Sequence, residues 1–373
     1  MRNLSKLFVG AATMAASAVL VAGTVATASA APNDPPKGIT PQSFDIIGVG
    51  SNTTQFVMDQ ISLDYNKTVK VHNANHPWFF SWDAVAPGTT STKPTKITPK
   101  AGCPIIVRPN GSTAGLTALD QNQFDGKTGH YCIDFGRSSG GRNPKAPKPG
   151  PGGVLYVAFA KDAITWASKA GSNAPASLTK AQLQGIFTCK TTNWKQVGGK
   201  SGAIKVYLPQ PGSGTLSTWE KFMGITTLGS CVSQAPEENE GTFAGFKNPN
   251  AIFIYSIGAY VSQKFNSPAC GKAPKAGQNR FGCNVTGVLT LGKINGVAPI
   301  AGHHINFAFP AGFFRTIYNI VRWTAKTPDH IYQRLGAFFS SKALHGFMCS
   351  SKIATTDIQN YGFIPTPTCG STS

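Results

Sequence analysis

A two-domain α/β fold with parallel sheets is the class the sequence predicts, on three observations. The chain has 373 residues, and with about 30 set aside for export the rest amounts to roughly two domains of 100–200 residues each. Hydrophobic residues make up 41% and aromatics 10%, which supplies ordinary cores and excludes a disordered chain. A unit of apolar strand, Gly-rich turn and helix recurs three times. Such alternation argues for parallel strands covered by helices, against a β-sandwich or a helical bundle.

The elements follow in order. Arg2 and Lys6 precede an uncharged apolar run over residues 7–23, and Ala28-Ser29-Ala30 offers small residues at a cleavage position. This is the pattern of a secretory signal peptide cut after Ala30. The run is rich in Ala and Gly and short for a membrane span, and no Cys near the cut offers a lipid anchor, so the expected product is a free extracellular protein. Residues 31–42 form a polar, Pro-rich leader. Residues 44–47 read as a strand, 48–54 as a turn and 55–65 as a helix. The grammar returns with a strand at 104–108, a turn at 109–115 and a helix from about Leu116, and again with a strand at 204–208, a turn at 209–215 and a helix through Trp219 and Phe222 to Met223. A fourth turn, at 132–141, ends an apolar strand in hydroxyls and glycines and carries Arg137.

The Pro/Gly stretch KAPKPGPGG at 145–153 is a surface connection ahead of the apolar run 154–159, where a crossing to the second domain is expected. Thr179 with Gln182 forms a capping box for a helix ending near Phe187. Residues 305–323, broken by Pro310 and Gly312, suit a strand that crosses back and then a helix. The expected division is 43–153 with 300–373 as the first domain and 154–299 as the second.

Eight cysteines (Cys103, Cys132, Cys189, Cys231, Cys270, Cys283, Cys349, Cys369) all follow the signal. An even number in an oxidising compartment, with no CxxC, favours four disulfides over a metal site. Their order suggests neighbours: Cys103 with Cys132, Cys189 with Cys231, Cys270 with Cys283, Cys349 with Cys369. His303-His304 lacks a third ligand, and adjacent residues on a strand face opposite ways, so no metal is expected.

Lys and Arg number 34 against 15 acidic residues, a net charge of +19. That balance raises the local concentration of anions. The positive charge is scattered rather than gathered with interleaved aromatics, which argues against nucleic acid. The loop lysines suit an anionic cell wall.

A strand-to-helix turn rich in Gly, Ser and Thr presents unpaired backbone N–H groups at the positive end of the helix dipole, with hydroxyls beside them. One such turn serves a helix cap as readily as a ligand. Four in one chain point to an oxyanion. At these residues the sequence resembles the class II solute-binding proteins of ABC importers, in their phosphate-binding branch. The resemblance runs through Gly48–Thr53, 110–115, the Asp134-Phe135-Gly136-x-Ser138 stretch, the segment 178–194 closing in Asn193-Trp194, and Gly212-Ser213-Gly214-Thr215. It implies two α/β domains joined by two crossing hinge strands, with a dehydrated oxyanion in the cleft between them and an ABC permease as the partner; no cofactor is expected, and the protein is expected to be a monomer.

The resemblance places ligand contacts at Ser51, Asn52 and Thr53, at Ser112, and at Ser213, Gly214 and Thr215, and the hydroxyls of Ser138 and Ser139 in the remaining turn are expected to join them. Three positions depart from the family pattern. Ser139 stands where an Asp accepts the proton of hydrogen phosphate, and Pro209 and Pro211 stand where an Arg and an Asp flank the last turn. Charge compensation falls instead to Arg137, with Arg108 the second candidate, since a guanidinium fork suits an oxyanion. Rival readings are a secreted protein that holds cell-wall polyanions without a closed cleft, and a secreted phosphoester hydrolase. The hydrolase lacks a GxSxG elbow and a visible base–orienter pair.

Overall fold

The computed structural model describes Pro35 and residues 39–86, 88–89, 92–121, 124–125 and 129–373. The signal peptide and most of the leader expected from the sequence lie outside the described residues.

The first predicted unit appears as strand β1 (Ile46–Gly50) and helix α1 (Gln55–Thr68), followed by β2 (Phe79–Ser81). In the second unit the strand is short, Ile106–Val107, and helix α2 (Ser112–Asp120) begins four residues earlier than the apolar pattern suggests, so Ser112 is its first residue. Strand β3 (Phe135–Ser138) ends in the fourth turn. The run after the Pro/Gly connection is one long strand, β4 (Val154–Lys169). Helix α3 (Lys180–Phe187) carries the expected capping box, with the Gln182 N–H donating to Thr179 Oγ1 and the Thr179 N–H to Gln182 Oε1.

The third unit is β5 (Lys205–Tyr207) and α4 (Gly214–Met223), followed by β6 (Val232–Ser233), β7 (Ala251–Ser256) and β8 (Leu289–Leu291). A helix was expected late in 305–323. The chain instead forms strand β9 (Phe314–Arg322), because its backbone is paired along both edges, by β4 and by β3, and its β-branched and aromatic residues suit a strand. Helices α5 (Gln333–Phe339) and α6 (Lys352–Asn360) and strand β10 (Ile364–Pro365) complete the principal elements.

The numbered strands form one sheet in the order β6-β5-β7-β4-β9-β3-β1-β2, with β8 and β10 also on β4, while Ile106–Val107 pairs apart from it with Lys96–Ile97. Pairing is parallel at both ends, β2-β1-β3 and β6-β5-β7, and antiparallel at the centre where β4 and β9 run from one lobe into the other. This is the two-lobed α/β arrangement expected from the sequence, with two strands crossing between the lobes. The buried side chains mark the crossings. Leu155, Val157 and Phe159 pack with Ile46, Met58 and Phe338 in the first lobe, whereas Ala163, Ile164 and Trp166 pack with Leu183, Trp219 and Ile252 in the second. Ile305, Phe309 and Phe313 also belong to the second core, while Ile317 and Val321 belong to the first. We place the domain boundary inside β4 near Lys161 and inside β9 near Thr316, later than the division at 153 and 300, and the β4–β9 register slips between Ile317 and Tyr318.

The cysteines pair as neighbours: Cys103–Cys132, Cys189–Cys231, Cys270–Cys283 and Cys349–Cys369. Among the described residues no helix is long and apolar enough to cross a membrane.

Candidate functional site

The four turns of the sequence, three at helix starts and one at the end of β3, meet where the lobes touch. Gly50 ends β1 at φ +118°, a conformation that L side chains rarely adopt, and a Cβ there would lie 2.8 Å from the Arg137 carbonyl and 2.9 Å from the Gly115 Cα. That close approach brings β1, α2 and β3 together and delivers Thr53, Ser112 and Ser139 to one point in the first lobe. From the second lobe comes α4, capped by Ser213, whose Oγ accepts the Leu216 N–H at 3.1 Å. Gly214 approaches the first lobe more closely still. A Cβ on it would lie 2.3 Å from Ser112 Oγ and 2.5 Å from Ser139 Oγ.

At the meeting point the hydroxyls of Thr53 and Thr215 lie 3.2 Å apart, those of Ser112 and Ser139 3.5 Å, and the Ser139 N–H donates to Ser112 Oγ at 3.0 Å. All four residues are buried. Between them sits a group that sequence reasoning missed, the Glu238 carboxylate. Its Oε1 accepts from the Thr53 hydroxyl at 2.7 Å, the Thr215 N–H at 3.1 Å and the Ser139 hydroxyl at 3.3 Å. A carboxylate oxygen receiving two hydroxyls and a helix-terminal N–H stands where one oxygen of an oxyanion would stand.

The cation at this place is Arg315, also missed. It lies on β9 opposite Asp162 of β4 and donates from Nε and Nη2 to Asp162 Oδ2, at 3.0 and 2.7 Å, and from Nη2 to Thr215 Oγ1 at 2.9 Å. Its Nη1 is buried without a hydrogen-bond partner among the described residues. Asp162 is wholly buried and accepts the Ser256 hydroxyl and the Gly258 N–H as well, so its charge is spread over several donors.

The two arginines expected at the site lie elsewhere. Arg137 is fully buried behind the first turn, donating to the carbonyls of Ser51 and Gly50 and to Ser81 Oγ. It also faces Asp59, whose carboxyl is pushed well up by burial and by the adjacent Asp83 carboxyl, with Arg137 pulling the other way. Arg108 donates to Thr95 Oγ1 and the Asp83 carbonyl and lies over the Trp82 ring. Ser138 bonds the Gly140 carbonyl. Asn52 flanks the site, its Oδ1 3.4 Å from Asn239 Nδ2, and Ser51 Oγ is buried with no hydrogen-bond partner among the described residues.

Glu238 belongs to an acidic segment, Glu237-Glu238-Asn239-Glu240, that reaches across the cleft. Glu237 accepts from Asn110 Nδ2 at 2.8 Å and Gln210 Nε2 at 2.7 Å, one from each lobe. Burial, reinforced by the Glu238 charge, pushes its carboxyl up to about 8. Asn239, at φ +55°, donates to Thr53 Oγ1 at 3.0 Å. The sequence signal was present but subtle: only 15 acidic residues exist, and three of the four glutamates fall within four positions.

A family model described as the PBP superfamily domain matches residues 78–306. Among solved structures, an ABC-type phosphate transport receptor from Vibrio cholerae is similar at TM-score 0.52 and 18% identity, over 86% of this chain and 100% of that one. A putative phosphate ABC transporter substrate-binding protein with bound phosphate, from Clostridium perfringens, is similar at TM-score 0.50 and 15% identity, over 86% of this chain and 99% of that one. At these identities the likeness is one of fold.

Proposed function

Since the chain belongs to the PBP superfamily, we propose that it is an exported solute-binding protein. It captures phosphate or a related oxyanion between its lobes by hinge closure, without catalysis, for delivery to an ABC permease. The observation that carries this reading is the reception given to Glu238 Oε1, where donors from both lobes converge on one acidic oxygen. Thr53, Ser112, Ser139, Gly214 and Thr215 are the proposed ligand contacts, with Arg315 supplying the positive charge that Arg137 and Arg108 do not bring. Ser51, Asn52, Ser138 and Ser213 shape the turns around them. The structural relatives at TM-scores of 0.52 and 0.50 are described as phosphate-transport proteins, which supports the choice of anion.

Thermal shifts of the dialysed protein with phosphate, sulfate, phosphonate and molybdate test it. A hundredfold excess over Kd adds about 2.7 kcal/mol, and phosphate is expected to give the largest shift. No shift with any of the four would defeat the proposal and favour a surface polyanion binder, whose affinity falls steeply with salt.

A further inference from the structure

Glu238 is held as a ligand is held, and the proposed function does not by itself say why the chain places its own carboxylate there. It is 1% exposed, and its backbone N–H is fixed by Gln210 Oε1 at 2.8 Å. One carboxylate oxygen takes three donors drawn from both lobes, while the other, Oε2, is buried without a hydrogen-bond partner among the described residues. Arg315 Nη1 is likewise unmatched, although its neighbour Nη2 already touches Thr215. A carboxylate therefore fits these donors only in part. A tetrahedral anion presents four acceptor oxygens where Glu238 presents one.

Beside the meeting point lies a cavity of about 670 Å³, lined by the whole of the segment 237–240 together with Asn52, Phe56 and Gln263. It gives the Glu238 side chain somewhere to go.

Resting on the phosphate reading above, we infer that Glu238 is the site's own tethered competitor, and that oxyanion capture is an exchange. The incoming anion takes the Thr53, Ser139 and Thr215 donors, and the Glu238 carboxylate turns into the adjoining cavity. With no proton between them, two negative groups cannot share these donors, because the repulsion between unscreened charges in a buried site is large. A tethered carboxylate acts at a high effective concentration. The exchange then sets specificity. Monocarboxylates such as acetate offer nothing that Glu238 does not already supply, whereas a doubly charged tetrahedral anion gains the unmatched Arg315 N–H and further hydroxyls. Apparent affinity is lowered by the fraction of molecules in which Glu238 holds the donors.

Titration calorimetry of the full chain with inorganic phosphate, for wild type, Glu238→Gln and Glu238→Ala, tests the inference. Both variants are expected to bind about tenfold tighter or more, since the competing charge is gone. Wild type that binds, with variants that bind equally or more weakly, overturns the inference and leaves the phosphate reading intact. No binding by any of the three overturns both. Hydrogen exchange on the wild type guards against a variant that fails to fold: phosphate is expected to speed exchange in 237–242 while protecting the turns of Thr53 and Thr215. Uniform protection across both regions overturns the exchange.

Discussion

Arg315 and Asp162 pair directly across the two strands that join the lobes, Nη2 to Oδ2 at 2.7 Å, and the same guanidinium reaches Thr215 at the mouth of α4. One side chain thus ties the hinge to the proposed ligand contacts. Breaking such a buried pair leaves Asp162 uncompensated at a cost of about 3–5 kcal/mol. Arg315→Ala is expected to lower the melting temperature and to weaken phosphate binding by roughly a hundredfold, the equivalent of about 2.7 kcal/mol. Arg315→Lys keeps the charge without the fork and is expected to fall between. Calorimetry on folded Arg315→Lys separates the two effects, and full affinity there would remove Arg315 from the site.

Closure depends on the missing side chain at residue 214. Gly214→Ala puts a methyl group 2.3 Å from Ser112 Oγ and 2.6 Å from the Gly140 nitrogen, all across the cleft. Overpacking of this kind costs about 1–3 kcal/mol. Here it acts on the closed arrangement alone, because alanine suits the first turn of α4 better than glycine does. Phosphate affinity is expected to drop roughly tenfold with the melting temperature of the unliganded protein little changed, and small-angle scattering should show a larger radius of gyration.

Glu237 gives stability a pH dependence with a definite sign. Its carboxyl rises from the ordinary 4.5 to about 8, chiefly through burial, so between those values the folded chain holds a proton that the unfolded chain has lost. Its contribution is complete below pH 4.5 and disappears as pH rises through about 8. Asp357, pushed up to about 7 by burial and the neighbouring Asp64, acts in part of the same window. Melting curves from pH 4.5 to 8.5 should therefore show declining stability, and Glu237→Gln should make that decline shallower. An unchanged slope in the variant would place the proton elsewhere.

Arg137 separates folding from binding. With its guanidinium spent on two carbonyls of the first turn and on Ser81, Arg137→Ala leaves those acceptors buried. The expected destabilisation is about 3 kcal/mol or more, seen as a lower urea midpoint. Affinity should fall only as far as the Thr53 turn is loosened. A stable variant that had lost all binding would return Arg137 to the ligand.

The turns were legible in the sequence because their physics is local. Glycine, serine and threonine at a strand-to-helix junction fix backbone conformation and cap chemistry within a few residues, and Thr179 with Gln182 did the same for α3. Arg315 was not legible, because its role depends on Asp162, 153 positions away in the sequence. Its segment also read as helical until two neighbouring strands took both its edges. Glu238 was not legible either. It sits in a stretch with no periodicity, and nothing nearby in sequence announces that it reaches the opposite lobe. Arg137 illustrates the converse: a guanidinium in a hydroxyl-rich turn looks like an anion receptor, but burial behind the turn turned it toward carbonyl oxygens.

The bridge Cys103–Cys132 encloses the turn of Ser112, and Cys189–Cys231 encloses the turn of Thr215. Each jaw of the trap is thus laced by its own thread, and neither thread runs from one jaw to the other. With both threads closed, the grips resist fraying and proteolysis while their bite stays free to open, so a reductant should shorten the molecule's working life before it blunts its appetite.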